Sequence, residues 1–136
     1  MAGGEMKGML DTHPWPGNVD RDVLARTIAE LGTCEETCTS CADACLSEDA
    51  VADLRKCIRL NLDCADICDA TAHVLIRQTG YDAPVTKAQL QACREACATC
   101  AEECERHAGM HEHCRICAEV CRRCAQACEE LLSAMK

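Results

Sequence analysis

The stretch Cys93–Cys104 reads CREACATCAEEC and places cysteines at positions 93, 97, 100 and 104. Their alternating spacing of four and three residues puts all of these thiols on one face of an α-helix. The residues between them are Arg, Glu, Ala and Thr, and no Gly or Pro interrupts the run. The stretch therefore predicts an amphipathic helix whose apolar face is made of thiols.

The same rhythm recurs in three other rows. The rows contain every cysteine of the chain, and all of them are candidate metal ligands: Cys34, Cys38, Cys41, Cys45, Cys57, Cys64, Cys68, Cys93, Cys97, Cys100, Cys104, Cys114, Cys117, Cys121, Cys124 and Cys128. In the row that begins at Cys57, Asn61 occupies the position where the other rows carry a second cysteine. Sixteen thiols in one shared rhythm indicate metal binding, although an isolated cysteine would more simply be a small buried apolar residue.

Start and stop signals divide the rest of the chain into four long helices. We predict them at about 19–46, 49–79, 87–107 and 111–134. Asn18 or Asp20 can cap the first helix, Ser47 the second, and a Thr86–Gln89 capping box the third. Because short connections favour antiparallel neighbours, we predict an all-α, antiparallel four-helix bundle over residues 19–136, with a cysteine-lined core.

Residues 1–18 form a short N-terminal extension that is rich in Gly. Two prolines flank Trp15, which we expect to pack back onto the bundle as a cap. The extension also carries three soft donors that we considered as metal ligands: Met1, Met6 and Met9. We do not expect His13, in the proline loop, or His73, which is out of phase with the cysteines, to be ligands.

The composition excludes several classes of protein. The 136 residues include no Phe, one Trp and one Tyr, so thiols replace the usual aromatic core. A disulfide scaffold fits poorly, because Cβ atoms four residues apart on a helix are roughly 5–6 Å apart and a disulfide needs roughly 3.5–4.5 Å. The start has no signal peptide and no stretch has transmembrane length, which favours a reducing cytoplasm. The net charge of −9 argues against nucleic acid and anionic membranes as partners.

The chemistry of the rows favours many Cu(I) ions as the bound metal. Soft thiolates select Cu(I), zinc or iron–sulfur clusters, but the CxxC units here lie inside helices and no ferredoxin-type run is present. Exchanging a thiol proton for Cu(I) leaves the net charge unchanged, so about one ion per cysteine keeps a buried core neutral. Zn(II) at that loading would leave a large positive excess.

Two alternatives stay open. One is a zinc or general soft-metal thiolate buffer, and the other is a thiol–disulfide redox protein. Catalytic thiols normally sit singly or in one exposed CxxC at a helix N-terminus, whereas these are many and predicted to be buried. We also find no Ser–His–Asp grouping or phosphate loop, and we expect no enzymatic activity.

Three histidines extend the thiol column at one end. Continuing the helix past Cys104 in the same phase meets His107 and then His111, and His113 stands beside Cys114. Imidazoles at the turn between the third and fourth predicted helices would form a mouth through which copper enters. We list Asn61 with the metal-site residues and favour for it a role in hydrogen bonding to the thiolates.

From about residue 19 to its end, the chain resembles the copper storage proteins, and in particular their cytosolic branch without an export signal. The matching features are the rows that begin at Cys34, Cys57, Cys93 and Cys117 and the histidines between Cys104 and Cys114. The resemblance implies a four-helix bundle that stores many Cu(I) ions along its core and assembles as a homotetramer. A copper chaperone is a candidate partner for delivery.

Overall fold

Five α-helices and one 3₁₀ helix account for most of the chain. The computed structural model describes residues 4–15, 17 and 19–135. The elements are α1 (Gly4–Asp11), α2 (Arg21–Leu46), a 3₁₀ helix (Val51–Leu54), α3 (Arg55–Ile76), α4 (Ala83–His107) and α5 (Glu112–Ala134). Met1 as a metal ligand and Asn18 as a cap lie outside the described residues.

The four long helices form a closed ring. Each of α2, α3 and α4 packs against the helix that follows it, and α5 completes the ring by packing against α2. The connections are short, so neighbouring helices run in opposite directions. The predicted all-α four-helix bundle with a cysteine-lined core is confirmed.

The helix starts follow from local capping, and one predicted cap is wrong. Asp20 caps α2 as predicted, since its Oδ1 accepts hydrogen bonds from the backbone N–H groups of Asp22 at 2.8 Å and Val23 at 3.1 Å. We expected the helix that carries Cys93 to begin at a Thr86–Gln89 capping box. Instead α4 begins at Ala83, capped by Asp82, whose Oδ1 accepts from the Val85 backbone N–H at 3.2 Å.

The second long helix begins later in the chain than predicted. Ser47 does not open a helix but ends α2, where its N–H donates to the carbonyls of Ala44 and Cys45. A turn and the 3₁₀ helix follow before α3 begins at Arg55, and α3 ends at Ile76 instead of near residue 79. The eight residues between α2 and α3 place the Glu48 side chain beside His113 instead of in a first helical turn.

The N-terminal extension contains a helix that the sequence reading missed. In α1, Lys7 pairs with Asp11 at 2.7 Å one turn later, and Leu10 is buried against the bundle. The Arg21 guanidinium donates to the Leu10 carbonyl, which ties the helix to the start of α2. The prediction that Trp15 packs onto the bundle is wrong, because the residue is 44 % exposed.

The two ends of the bundle differ in chemistry. Because the helices alternate in direction, the starts of α2 and α4 meet the ends of α3 and α5. This end is filled by buried aliphatic residues: Leu24, Leu31, Leu75, Leu90 and Leu131. Thiols fill the remaining length of the core, towards the turn that joins α4 to α5. The core is therefore closed by leucines at one end and bordered by histidines at the other.

The capping geometry gives a stability prediction. Replacing Asp20 by Ala removes the acceptor for two N–H groups at the start of α2, and we expect the free energy of unfolding to fall by about 0.5–2 kcal/mol. Urea unfolding of the reduced protein, followed by circular dichroism, measures the change. Asp66→Ala, an exposed change within α3, is the matched control and should not destabilise. Equal stabilities of the D20A and D66A variants would contradict the capping role.

Candidate metal centre

All 16 cysteines point into the core as free thiols. Fifteen have no exposed surface and Cys41 is 2 % exposed. Neighbouring Sγ atoms lie 3.4–4.0 Å apart, both within a helix and between helices, with the shortest separation between Cys38 and Cys121. Such distances are too long for disulfides and suit sulfurs that share a metal ion between them.

The thiols form overlapping groups in which every donor atom lies within 4.8 Å of the others. Five of these groups are Cys34/Cys68/Cys97/Cys124, Cys34/Cys38/Cys64/Cys121, Cys38/Cys100/Cys117/Cys121, Cys41/Cys104/Cys117 and Cys41/Cys45/His113/Cys114. Each group shares at least one cysteine with another, so the five form one connected series. The bundle therefore holds a continuous column of soft donors instead of a single isolated site.

Cysteines outside these five groups extend the column. Cys93 lies 3.8 Å from Cys68, and Cys128 neighbours Cys93. On the other side, Cys57 lies 3.7 Å from Cys104. The four cysteine rows predicted from the sequence therefore meet in one core, although the sequence alone does not show which thiols become neighbours.

Asn61 lies at the centre of the column and is completely buried. Its Oδ1 accepts hydrogen bonds from the thiols of Cys100 at 3.0 Å, Cys117 at 3.3 Å and Cys104 at 3.5 Å. Its Nδ2 donates to Cys57 Sγ at 3.8 Å. The amide thus contacts thiols of two other rows and one thiol of its own row, which is the arrangement that its predicted hydrogen-bonding role requires.

His113 is the histidine that the structure brings directly to the thiols. Its Nδ1 lies 3.4 Å from Cys41 Sγ and 3.6 Å from Cys114 Sγ. Its ring stacks on that of His111 at a centroid distance of 5.5 Å. An imidazole nitrogen and three thiols can therefore converge on one ion at this end of the column.

Two carboxylates at the same end were missed by the sequence reading. Glu48 Oε2 accepts from His113 Nε2 at 2.8 Å and lies 3.2 Å from His111 Nδ1. Glu103, which is buried, lies 2.9 Å from His107 Nε2. The spacing of four residues between Glu103 and His107 could have revealed the second pair. No local signal in the sequence joins Glu48 to histidines more than sixty residues away.

These carboxylates position the imidazoles. A carboxylate that holds one ring nitrogen as N–H leaves the other nitrogen with its lone pair, which is the usual arrangement around metal-binding histidine. For His113 this leaves Nδ1 facing Cys41. The hydrogen bond from His113 lowers the pKa of Glu48.

Burial raises the pKa values of two thiols at this end, those of Cys45 and Cys114. Burial, and to a lesser extent the nearby charge of Cys57, raises the pKa of Cys45 to about 11. Burial, and to a lesser extent the nearby charge of Cys45, also raises the pKa of Cys114. Near neutral pH these groups hold their protons, so a metal ion must displace them.

The remaining soft or imidazole donors lie away from the column. The His73 side chain is 60 % exposed on α3, 3.8 Å from Asp69. His13 Nδ1 accepts a hydrogen bond from the Trp15 backbone N–H at 3.0 Å, and Met9 is 66 % exposed. Across residues 4–15, 17 and 19–135, no helix has both the length and the apolar character needed to cross a bilayer.

Comparisons with known proteins agree with this geometry. The family model described as copper storage protein (Csp) matches residues 20–133. The uncharacterized cysteine-rich protein YhjQ of Bacillus subtilis (strain 168) is 37 % identical over 84 residues, which cover 62 % of this chain and 72 % of that protein.

Solved structures from Streptomyces lividans match over most of the chain. The copper storage protein Ccsp, loaded with 10 copper equivalents, is 62 % identical with a TM-score of 0.93, covering 95 % of this chain and 98 % of that one. A structure described as copper loading to a cytosolic copper storage protein, with five coppers, is 63 % identical with a TM-score of 0.84, covering 85 % and 96 %.

The hydrogen bonds of Asn61 give a second stability prediction. Asn61→Ala leaves three buried thiols without their oxygen acceptor, and we expect the metal-free protein to lose about 1–3 kcal/mol of unfolding free energy. Urea unfolding under reducing conditions measures the loss. The control is Leu62→Ala, a neighbouring residue that is 44 % exposed, for which we expect a change within about 0.5 kcal/mol. Similar losses in both variants would show that the amide does not stabilise the core.

Proposed function

Because the chain belongs to the copper storage protein family, we propose that it stores many Cu(I) ions as thiolate complexes along the core of its bundle. The observation that carries this proposal is the series of overlapping thiol groups. A carrier of one ion needs only two or three thiols. A column in which neighbouring groups share sulfurs supports storage, since a sulfur that bridges two ions lets each cysteine serve two sites.

The charge of the bound ion favours Cu(I) over Zn(II) as the stored metal. The column is buried and, in the described part of the chain, no Lys or Arg is buried with it, so any net charge inside it is costly. Each Cu(I) replaces one thiol proton and leaves the column neutral, whereas each Zn(II) adds a positive charge unless it removes two protons. High loading therefore favours Cu(I), and a zinc or general soft-metal buffer is the second candidate.

The proposed role is binding and storage, without catalysis, and its location is the cytosol. Among the relatives, the Streptomyces protein is described as a cytosolic copper storage protein and its structures hold 5 or 10 coppers. A thiol–disulfide redox role is less well supported, because redox thiols need access to their substrate and these are buried.

The proposal also covers where copper enters the bundle, how the chains assemble and what delivers the ion. We place copper entry at the mouth formed by His107, His111 and His113, where Glu48 and Glu103 orient the rings. The leucines close the opposite end. A homotetramer is the assembly that family membership implies, and a copper chaperone is a candidate donor of the ion.

An anaerobic titration of the reduced protein with Cu(I), against a competing chromophoric chelator, tests storage. We expect the protein to hold on the order of one ion per cysteine before the chelator acquires any. Cys121→Ser, at the shared position of two thiol groups, should reduce the capacity by only one or a few ions. Saturation of the wild-type protein after one or two ions would contradict storage. A preference for Zn(II) at high loading would favour the buffer.

Proton release provides an independent check. Burial raises the pKa values of Cys45 and Cys114, and a net charge inside a buried column is costly, so we expect about one proton to be released for each Cu(I) bound. A titration in weak buffer with a pH indicator dye measures the ratio. Release of far less than one proton per ion would show that the column already contains thiolates.

A further inference from the structure

The N-terminal extension carries soft donors on one side of α1, at the end of the bundle that the leucines close. Met6 and Met9 stand three residues apart on α1, and His13 follows Met9 by four residues. The His13 backbone N–H donates to the Leu10 carbonyl at 3.3 Å, which continues the turn past the last residue of the helix. His13 therefore lies about one turn beyond Met9, on the same side of the extension.

These three side chains share one open pocket between α1 and the end of α3. The pocket has a volume of about 460 Å³, and Leu10 and Ile76 form part of its apolar wall. Met6 and His13 are half-buried, and Met9 is 66 % exposed. Two thioether sulfurs and one imidazole therefore border the same solvent-accessible space.

We propose that Met6, Met9 and His13 bind one further Cu(I) ion, separate from the thiol column. Thioether sulfur is a soft donor that selects Cu(I), and imidazole also suits copper. Residues three apart on a helix have Cβ atoms roughly 5–6 Å apart, so two flexible methionine side chains can reach one ion between them. No cysteine belongs to this site, so it does not depend on storage in the column. The sequence alone did not identify His13 as a ligand, because the helix that aligns it with Met9 was missed.

The hydrogen bond at His13 identifies the nitrogen that can bind the ion. Nδ1 accepts from the Trp15 backbone N–H at 3.0 Å. In a neutral imidazole this leaves the proton on Nε2 and the lone pair on Nδ1. The ion takes the place of the Trp15 N–H, which can turn to water because that residue is exposed.

The charge of this ion differs in its effect from the charge of the ions in the column. Thioethers and a neutral imidazole lose no proton, so the site gains one positive charge, which is tolerated at the surface. The pocket adjoins the C-terminal end of α3 at Ile76, where the last carbonyls carry partial negative charge. The exposed Arg77 also lines the pocket and opposes the ion. We therefore expect the site to bind more weakly than the thiolates and to fill after the column.

Methyl NMR of protein isotope-labelled at its methionine methyl groups tests the site. The reduced protein is titrated anaerobically with Cu(I) as its acetonitrile complex, first until the thiolate-to-copper absorbance stops rising and then beyond. In the second stage we expect the methyl signals of Met6 and Met9 to shift, and no proton to be released. Met110 is the internal control, since its thioether is 75 % exposed near the opposite end of the bundle, and its signal should not shift in that stage.

Two substitutions assign the ligands. Met9→Leu keeps the apolar volume and removes the sulfur, and His13→Asn keeps an acceptor for the Trp15 N–H and removes the imidazole. We expect each variant to bind this ion roughly tenfold more weakly, which corresponds to about 1.4 kcal/mol. Met110→Leu is the matched control and should bind it with the wild-type affinity. All three variants should keep the wild-type capacity of the column.

The outcomes separate this site from storage. Shifts of Met6 and Met9 that are weakened in both the Met9→Leu and His13→Asn variants support the site. A shift of Met110 at the same copper concentration would mean that any exposed thioether binds copper, and the site would be wrong. Equal affinities of the His13→Asn and wild-type proteins, or no shift of Met6 and Met9 once the column is full, would also refute it. The absorbance in the first stage measures the capacity of the column, so storage is judged independently.

Discussion

The structure depends on keeping a core of 16 thiols uncharged. Among the residues that the structure describes, no Lys or Arg is buried in the core to neutralise thiolates, so charge in a metal-free core is costly. This constraint also selects the cargo, because a monovalent soft ion can replace those protons one for one. The same argument accounts for the aromatic-poor composition, since large rings would separate the helices and break the contacts between sulfurs.

The polarity of the bundle follows from where each helix changes from leucines to thiols. In α2 and α4 the leucines come first, and in α5 Leu131 comes last. Antiparallel packing brings these segments together, so one end is sealed with aliphatic side chains. The other end receives three histidines with their carboxylate partners, which are the polar groups that can contact solvent and exchange a metal ion.

Much of this arrangement could be predicted from the sequence because it is periodic. The cysteine rows predict the helices and their inward faces, and they place Asn61 among thiols. The helix of the N-terminal extension could not be predicted in this way, since its anchor is a bond from Arg21 to the Leu10 carbonyl. The role of Glu48 could not be predicted from the sequence either, because the packing of α2 against α5 is what brings His113 to its carboxylate.

Asn61 shows why one row departs from the thiol pattern. A thiol is a weak donor and sulfur a weak acceptor, so a core of thiols alone would form only weak hydrogen bonds. The amide oxygen supplies a strong acceptor to Cys100, Cys104 and Cys117 at the centre of the column. Within the described residues, no buried side-chain nitrogen or oxygen lacks a partner. The donors are therefore held in place by the protein itself, and copper needs to displace protons without first having to order the site.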